Sequence, residues 1–163
     1  MITRQIPFAL ILSMLLLGSC KKDEVYTYGV NDVNVEQPGA VKPNVKSDLE
    51  VISIAYTDLF GSTLSPDELS NLATAYQAFG DKRLVIDMII LNFLNEPNVQ
   101  VPTDTEMRAD IESFVREAYN RFFVRQPTAF EEWFVSDIIR DDATVTPELV
   151  YYAFMTSNEY RYY

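Results

Sequence analysis

Histidine is absent from this chain of 163 residues, and Cys20 is its only cysteine. These absences argue against Ser-His-Asp and Cys-His catalysis, zinc sites built from histidine and cysteine, attached haem, and disulfides within the chain. Basic residues are also few, with 13 Lys and Arg against 24 Asp and Glu. Because a nucleic-acid-binding protein needs clustered Lys and Arg to neutralise phosphates, the composition argues against nucleic acid as a partner. No cofactor is predicted.

Apolar and aromatic residues are plentiful. Hydrophobic residues make up 48% of the chain and aromatic residues 13%. A chain with this composition buries enough surface to offset the entropy lost on folding, so we expect one domain, or two very small units that share a core.

The N-terminus has the form of an export signal. Arg4 precedes an apolar run at residues 6–17, which is too short for a membrane span of about 20 residues. The tetrad Leu-Gly-Ser-Cys at residues 17–20 resembles the lipobox of bacterial lipoproteins. That resemblance implies cleavage between Ser19 and Cys20, with lipid attached to Cys20. More than one acyl chain on this cysteine would anchor the protein stably in a membrane.

A charged tetrad follows the cysteine directly, and it comprises Lys21, Lys22, Asp23 and Glu24. It resembles the tag that marks surface-exposed lipoproteins of Bacteroidetes-type bacteria, and thus implies an outer-membrane location on the cell surface. A periplasm-facing location stays open. Residues 20–46 lack sustained periodicity, so they are predicted to form a flexible tether after the signal peptide (1–19). Removal of residues 1–19 takes away Arg4 and leaves a net charge of −12.

Residues 47–163 are predicted to be all-α. Four segments have the capping-box pattern of a hydroxyl residue followed three positions later by glutamate: Ser47 with Glu50, Ser65 with Glu68, Thr103 with Glu106, and Thr128 with Glu131. Pro66 and Pro147 occupy first-turn positions, where the missing N–H costs nothing. One amphipathic stripe runs from Met107 to Phe122. The apolar segments 84–94 and 149–155 are predicted to be central helices surrounded by their neighbours.

The helical region matches itself when it is shifted by 63 residues. Tyr56 then falls on Tyr119, and Glu96 on Glu159. We interpret this match as a tandem duplication of a three-helix unit, at 47–96 and 103–163, with about six helices, no gap in register and one shared core. The second unit resembles short helical repeats of secreted and cell-surface bacterial proteins, with phycobilisome linker domains as a remote comparison. This resemblance implies a scaffold role and transfers no catalytic residue.

Carboxylate pairs are the candidates for chemistry, and they are Asp67 with Glu68, Glu131 with Glu132, and Asp141 with Asp142. A glycoside hydrolase needs two carboxylates facing each other across a cleft. Adjacent helical residues point in different directions, so a hydrolase is the less favoured interpretation. Calcium held near Asp141 is another alternative, although the spacing of a calcium-binding loop is absent.

Aromatic residues at helical spacing are predicted to lie in the core, and they include Tyr56, Phe60, Phe114, Tyr119 and Trp133. The closing residues Tyr160, Tyr162 and Tyr163 are predicted to be exposed and to bind a partner, unless the C-terminus folds back onto the helices. The sequence therefore predicts a non-catalytic, membrane-anchored accessory or scaffold subunit of an envelope complex. A glycan- or peptide-binding module is the alternative.

Overall fold

The computed structural model describes residue 42 and residues 44–162. These residues form seven α-helices and one 3-10 helix, and the only strand-like pairing among them is a single bridge between Val45 and Tyr162. The α-helices are α1 (Asp48–Phe60), α2 (Pro66–Ala78), α3 (Lys82–Leu94), α4 (Asp104–Ala109), α5 (Ile111–Phe123), α6 (Ala129–Asp141) and α7 (Pro147–Met155), and the 3-10 helix is Glu159–Arg161. The predicted all-α fold is confirmed for this part of the chain.

Several predictions concern residues outside the described part. These are the signal peptide (1–19), Cys20, the tag formed by Lys21, Lys22, Asp23 and Glu24, most of the tether, and Tyr163. Among the helices of the described residues, none is long and apolar enough to cross a bilayer. The last tether residues contact the helical body, since the Lys46 ammonium donates to the Tyr160 carbonyl at 2.6 Å.

The helix starts form as the sequence predicts. In all four predicted capping boxes, the hydroxyl oxygen accepts from the glutamate N–H, and the glutamate carboxylate accepts from the backbone N–H of the cap residue. Each box therefore satisfies two backbone donors that have no partner inside the helix. Pro66 and Pro147 lie in the first turns of α2 and α7, as predicted.

One predicted helix is two helices. The apolar stripe from Met107 to Phe122 is interrupted at Asp110, whose φ of −151° and ψ of 83° are not helical. The Asp110 side chain instead accepts from the Ser113 N–H and caps α5, so α4 is a separate six-residue helix. Met107 of α4 nevertheless packs into the core. The spacing of the apolar residues therefore looks continuous across the break.

The first two helices of the first unit, α1 and α2, are in register with α5 and α6 of the second unit, which follow the short helix α4. The bounds of α1 and α5 differ by 63 residues at both ends, and so do those of α2 and α6. Buried positions correspond as well, since Ala55 and Ala118 are both fully enclosed, as are Ile52 and Val115. A shift of 63 residues therefore relates both the boundaries and the buried faces of these helices.

The third helices depart from the predicted gapless register. Three residues separate α2 from α3, whereas five separate α6 from α7. The N-cap residues Asp81 and Thr146 are consequently 65 positions apart, as are the buried residues Ile90 and Met155. The prediction of a match without a gap is wrong here, because the connection before α7 is two residues longer.

Residues from both units form one hydrophobic cluster, and α3 packs against α7 at its centre. The packing within the units differs, because α1 lies mainly against α3, whereas α5 lies mainly against α6.

The prediction that neighbouring helices surround α3 on all sides is wrong. Leu84, Met88 and Leu91 form an exposed stripe, since no other element of the described chain covers this side of α3.

Candidate functional site

Tyr160 does not belong to the exposed surface that the sequence predicts for the C-terminus. Tyr160 is fully buried, and its hydroxyl donates to Asp58 Oδ2 at 2.6 Å. Its ring meets Phe122 edge-on at 6.2 Å, and the Lys46 ammonium lies 4.5 Å from the ring centroid. The predicted exposure of Tyr160 is wrong because the 3-10 helix turns the chain end back onto α1 and α5.

Tyr162 is the other closing tyrosine among the described residues. Tyr162 is 39% exposed and belongs to the bridge with Val45. Tyr163 lies outside the described residues. The Lys46 N–H donates to the Arg161 carbonyl at 2.8 Å, so the segment before α1 is bound to the C-terminal segment.

The polar groups around Tyr160 have pKa values shifted by burial. Burial raises the pKa of the Tyr160 hydroxyl, and the neighbouring Asp58 carboxylate raises it further. Burial also raises the pKa of Asp58, against the hydrogen bond from Tyr160 that lowers it. The pKa of Lys46 is lowered, again chiefly by burial. The hydrogen bonds and charge contacts of this cluster bind the segment before α1 and the 3-10 helix to the core.

Three carboxylates of the predicted pairs, Glu131, Glu132 and Asp142, have partners outside their own pair. Glu131 binds Arg125, and Glu132 binds Arg116 at 2.6 Å. Asp142 accepts from the N–H and hydroxyl of Thr144, which lowers the pKa of its carboxyl. Among the described residues, no three metal-binding side chains of the His, Cys, Asp and Glu types come together.

An open groove of about 520 Å³ lies on the first unit, between α1, α2 and the segment that follows α3. Three aromatic rings form its apolar part. Tyr56 and Phe60 are stacked with centroids 4.4 Å apart, and Phe93 meets them edge-on at 5.3 and 6.1 Å. Polar side chains also line the groove, and they include Ser62, Glu68, Asn71, Glu96 and Asn98.

Two carboxylates of this groove carry no ion pair within the described part of the chain. Glu68 Oε2 accepts from the Ser65 hydroxyl at 2.6 Å and from the Ser65 N–H at 2.9 Å, which lowers the pKa of Glu68. Glu96 accepts only a long hydrogen bond of 3.4 Å from the Asn92 amide. Neither carboxylate contacts a lysine or arginine among the described residues.

A filled counterpart of the groove occurs in the second unit. The Arg125 guanidinium donates to both oxygens of Glu131 at 2.7 and 2.9 Å, and to both oxygens of Glu159 at 2.6 and 2.8 Å. It lies 5.0 Å from the ring centroid of Tyr119 and 5.8 Å from that of Phe123. Hydrogen bonds from Arg125 lower the pKa of Glu131 to about 2. The Arg125 side chain is only 12% exposed.

The two places share the same positions of the duplicated motif. With a shift of 63 residues, the pairs in and directly around α1, α2, α5 and α6 are Tyr56 and Tyr119, Phe60 and Phe123, Ser62 and Arg125, and Glu68 and Glu131. Glu96 and Glu159 match in sequence by the same shift, although they follow third helices whose starts are 65 positions apart. All five residues of the first unit line the groove. The first unit therefore keeps the rings and carboxylates that hold Arg125 but has serine in place of the arginine.

A second candidate surface is the exposed face of α6. Phe130 is 67% exposed and Trp133 is 55% exposed, and their neighbours Phe134 and Ile138 are also exposed. The Phe130 ring lies 5.9 Å from both Trp133 and Phe134. The prediction that Trp133 lies in the core is wrong, because this helix turns a different face, with Ser136 and Ile139, towards α5.

The first unit shows that the fold does not require these aromatic residues. The matching positions of α2 hold Asp67, Ser70, Asn71 and Ala75. Since α2 and α6 have corresponding bounds, the aromatic residues of α6 are a property of the second unit alone. We call Phe130, Trp133, Phe134 and Ile138 the α6 aromatic face.

Sequence reasoning missed both surfaces, although the signal for the groove was present. Comparing the two units residue by residue places Ser62 opposite Arg125, beside two pairs of matched glutamates. The exposure of the α6 aromatic face had no such signal, because the spacing of apolar residues does not tell which face is covered.

Comparisons with known protein families, with curated proteins and with solved structures found no match to this chain.

Proposed function

We propose that this protein is a lipid-anchored, non-catalytic accessory subunit of a bacterial outer-membrane or envelope complex. The α6 aromatic face is the observation that carries the proposal. Monomeric proteins rarely expose several large aromatic residues side by side, and aromatic side chains are enriched where proteins bind each other. The partner is a polypeptide of the envelope complex that presents an apolar patch.

The anchoring part of the proposal rests on the N-terminal sequence. Residues 1–20 resemble a lipoprotein signal with its lipobox, and acylated Cys20 would hold the protein at the outer membrane. The tag beginning at Lys21 favours the cell surface, while the periplasmic face is the alternative. A tether of the 21 residues between Cys20 and Lys42 would have an average span of about 25 Å, which would keep the helical body near the membrane.

The negative charge of the protein favours a partner with basic residues around its docking surface. The chain has a net charge of −11, and acidic residues on α6 include Glu132, Asp137 and Asp141. A partner surface with an apolar centre and a basic rim would therefore associate faster, and its association would weaken with added salt.

The groove of the first unit favours a second candidate, a module that binds an extracellular glycan or peptide. Stacked rings beside amide and carboxylate groups suit either ligand. This function needs no enzyme activity and is compatible with the same membrane anchor.

The anchoring proposal is tested by the intact mass of the protein purified from membranes. We expect a mature chain that begins at Cys20 and carries acyl chains, and we expect Cys20→Ser to be unlipidated and released from the membrane. An unmodified Cys20 in the native protein would contradict the anchor.

The docking proposal is tested by giving α6 the residues of α2, with Phe130→Asp, Trp133→Ser and Phe134→Asn combined. These side chains are exposed, so we expect helicity and melting temperature to stay near wild type while recovery of the cross-linked envelope partner falls at least tenfold. The matched control is Leu84→Ser with Met88→Ser, which removes exposed apolar residues from α3 instead. Equal partner recovery from the α6 variant and the wild type would refute the α6 aromatic face as the interface.

A further inference from the structure

The groove of the first unit is a copy of the Arg125 site that lacks its cation. Four lining residues, Tyr56, Phe60, Glu68 and Glu96, match the residues that contact Arg125 when the sequence is shifted by 63, and Ser62 takes the position of the arginine itself. The second unit thus shows which group this arrangement of side chains holds.

We propose that the groove binds the guanidinium group of an arginine side chain presented by a partner polypeptide. The guanidinium would lie over Tyr56 and Phe60 and donate to Glu68 and Glu96, as Arg125 does to the matching residues. This inference names a site separate from the α6 aromatic face, so it can hold or fail independently of the proposed function.

The aromatic part of the groove suits a flat cation. Arg125 lies within 6 Å of two ring centroids in the second unit, a distance at which the face of a ring attracts a cation. Tyr56 and Phe60 occupy the matching positions of α1 and are stacked on each other. Phe93 adds a third ring at the groove wall.

The charges of the groove also favour a cation. Glu68 and Glu96 line it, and no lysine or arginine does so among the described residues. Glu68 Oε1 has no hydrogen bond within the described chain, and this is the oxygen whose counterpart in Glu131 accepts from Arg125 at 2.7 Å. A phosphate or carboxylate ligand would be repelled here. Arginine is preferred to lysine because its planar guanidinium donates to two carboxylates in pairs of parallel bonds.

Size and the groove rim favour a polypeptide over free arginine. A volume of about 520 Å³ exceeds what one guanidinium fills and leaves room for the stem and neighbouring backbone of a peptide. The Asn71 and Asn98 amides line the same groove and can pair with peptide N–H and C=O groups. The acidic charge of the whole chain would attract a basic segment.

The experiment is an NMR or calorimetric titration of the full chain, kept in detergent, with three blocked tripeptides: Gly-Arg-Gly, Gly-Lys-Gly and Gly-citrulline-Gly. Citrulline keeps the shape of arginine without its charge. We expect the arginine peptide to bind, the lysine peptide to bind several-fold more weakly, and the citrulline peptide to bind at least tenfold more weakly. Free arginine amide should bind more weakly than the peptide.

Three variants test whether the arginine peptide binds in this groove. Ser62→Arg places an arginine at the position of Arg125, so its side chain should occupy the groove. We expect this variant to bind the peptide at least tenfold more weakly and to have a higher melting temperature. Glu96→Gln should weaken binding and reduce its salt dependence. Asp67→Asn is the matched control, since Asp67 is an exposed carboxylate on α2 that does not line the groove, and it should bind like wild type.

Several outcomes would overturn the inference. These are equal binding of the citrulline and arginine peptides, undiminished binding by Ser62→Arg, or no binding of any tripeptide. Binding of a neutral oligosaccharide in place of the arginine peptide would identify a glycan site and equally refute it. Partner recovery through the α6 aromatic face should be unchanged in Ser62→Arg, which distinguishes failure of the groove from failure of the proposed function.

Discussion

Arg125 joins three parts of the second unit through a single guanidinium. It binds Glu131 at the start of α6 and Glu159 in the 3-10 helix, and it lies over rings of α5. Because its side chain is mostly enclosed, these contacts are less screened than those of a surface ion pair.

Replacement of Arg125 should change the acid stability of the protein. Hydrogen bonds from Arg125, against the opposing effect of burial, lower the pKa of Glu131 to about 2 in the folded protein, from an ordinary value of 4.5. A lowered folded-state pKa contributes stability above about pH 4.5, and this contribution is lost as the pH falls towards 2. We expect Arg125→Gln to cost about 2 kcal/mol at pH 7 and much less at pH 2, measured by urea unfolding.

The control for Arg125 is Arg116→Gln, which breaks the more exposed pair with Glu132. It should cost under about 0.5 kcal/mol at pH 7. An Arg125→Gln penalty that did not depend on pH would contradict the assigned role of the Glu131 pair.

Tyr160 should be essential to the fold rather than to docking. Tyr160→Ala removes a fully buried ring and leaves Asp58 without its 2.6 Å donor. We expect a loss of about 3 to 5 kcal/mol in the free energy of unfolding, whereas Tyr162→Ala should cost under about 1 kcal/mol. Thermal and urea unfolding would measure both. A Tyr160→Ala protein as stable as wild type would contradict the burial described here.

The burial of Tyr160 could not be predicted from its neighbours in sequence. Its partner Asp58 lies 102 positions away, and a closing aromatic run has the same local pattern whether it folds back or projects. Trp133 is a similar case, because helical spacing defines a face without telling whether another element covers it. Tyr119, in contrast, is confirmed as core, since it is buried together with Phe114, Ala118 and Phe122 of the same stripe along α5.

Among the helices, α1 and α5 both end in a residue with left-handed backbone, and this conformation is strained only at the end of α5. Gly61 ends α1 with φ of 66°, and the matching Val124 ends α5 with φ of 54°. Glycine adopts this left-handed conformation freely, whereas a β-branched residue is strained there. Val124 is also 81% exposed, so its side chain gains little from packing.

We therefore expect Val124→Gly to stabilise the protein by about 1 kcal/mol, because it removes the strain of the left-handed conformation. Calorimetric melting would show a higher midpoint temperature. The reverse change, Gly61→Val, should lower stability by a similar amount. A Val124→Gly protein that melts below wild type would mean that the valine side chain makes stabilising contacts after all.

Helix starts were predictable because each depends on a few adjacent residues. The four capping boxes have their hydroxyl and carboxylate groups three positions apart, and all four form. The break at Asp110 was missed because the apolar stripe continues through it. The register of the third helices was missed because Asn95 and Glu96 match Asn158 and Glu159 at a shift of 63, although a shift of 65 places Leu84 and Val85 on Leu149 and Val150.

At the scale of the whole molecule, the two units depend on each other. One hydrophobic cluster contains residues of both, and α3 packs against α7. A unit of about fifty residues buries too little surface to be stable when its partner is removed.

Truncation at Pro97 should therefore leave the first unit poorly folded. We expect the fragment 42–96 to have less helicity per residue than the full chain and no cooperative melting transition, both measured by circular dichroism. Addition of the separate fragment 98–163 should restore part of the helicity. A sharp transition for the isolated first fragment would contradict the shared core.

The central claim is that the protein acts by docking a polypeptide partner through the α6 aromatic face. The most direct test is photo-crosslinking in intact cells, with a benzoylphenylalanine at position 133 and, as the matched control, at position 70 on α2. We expect a defined adduct with an envelope polypeptide at position 133 and none at position 70. Absence of an adduct at 133, or equal adducts at both positions, would contradict it.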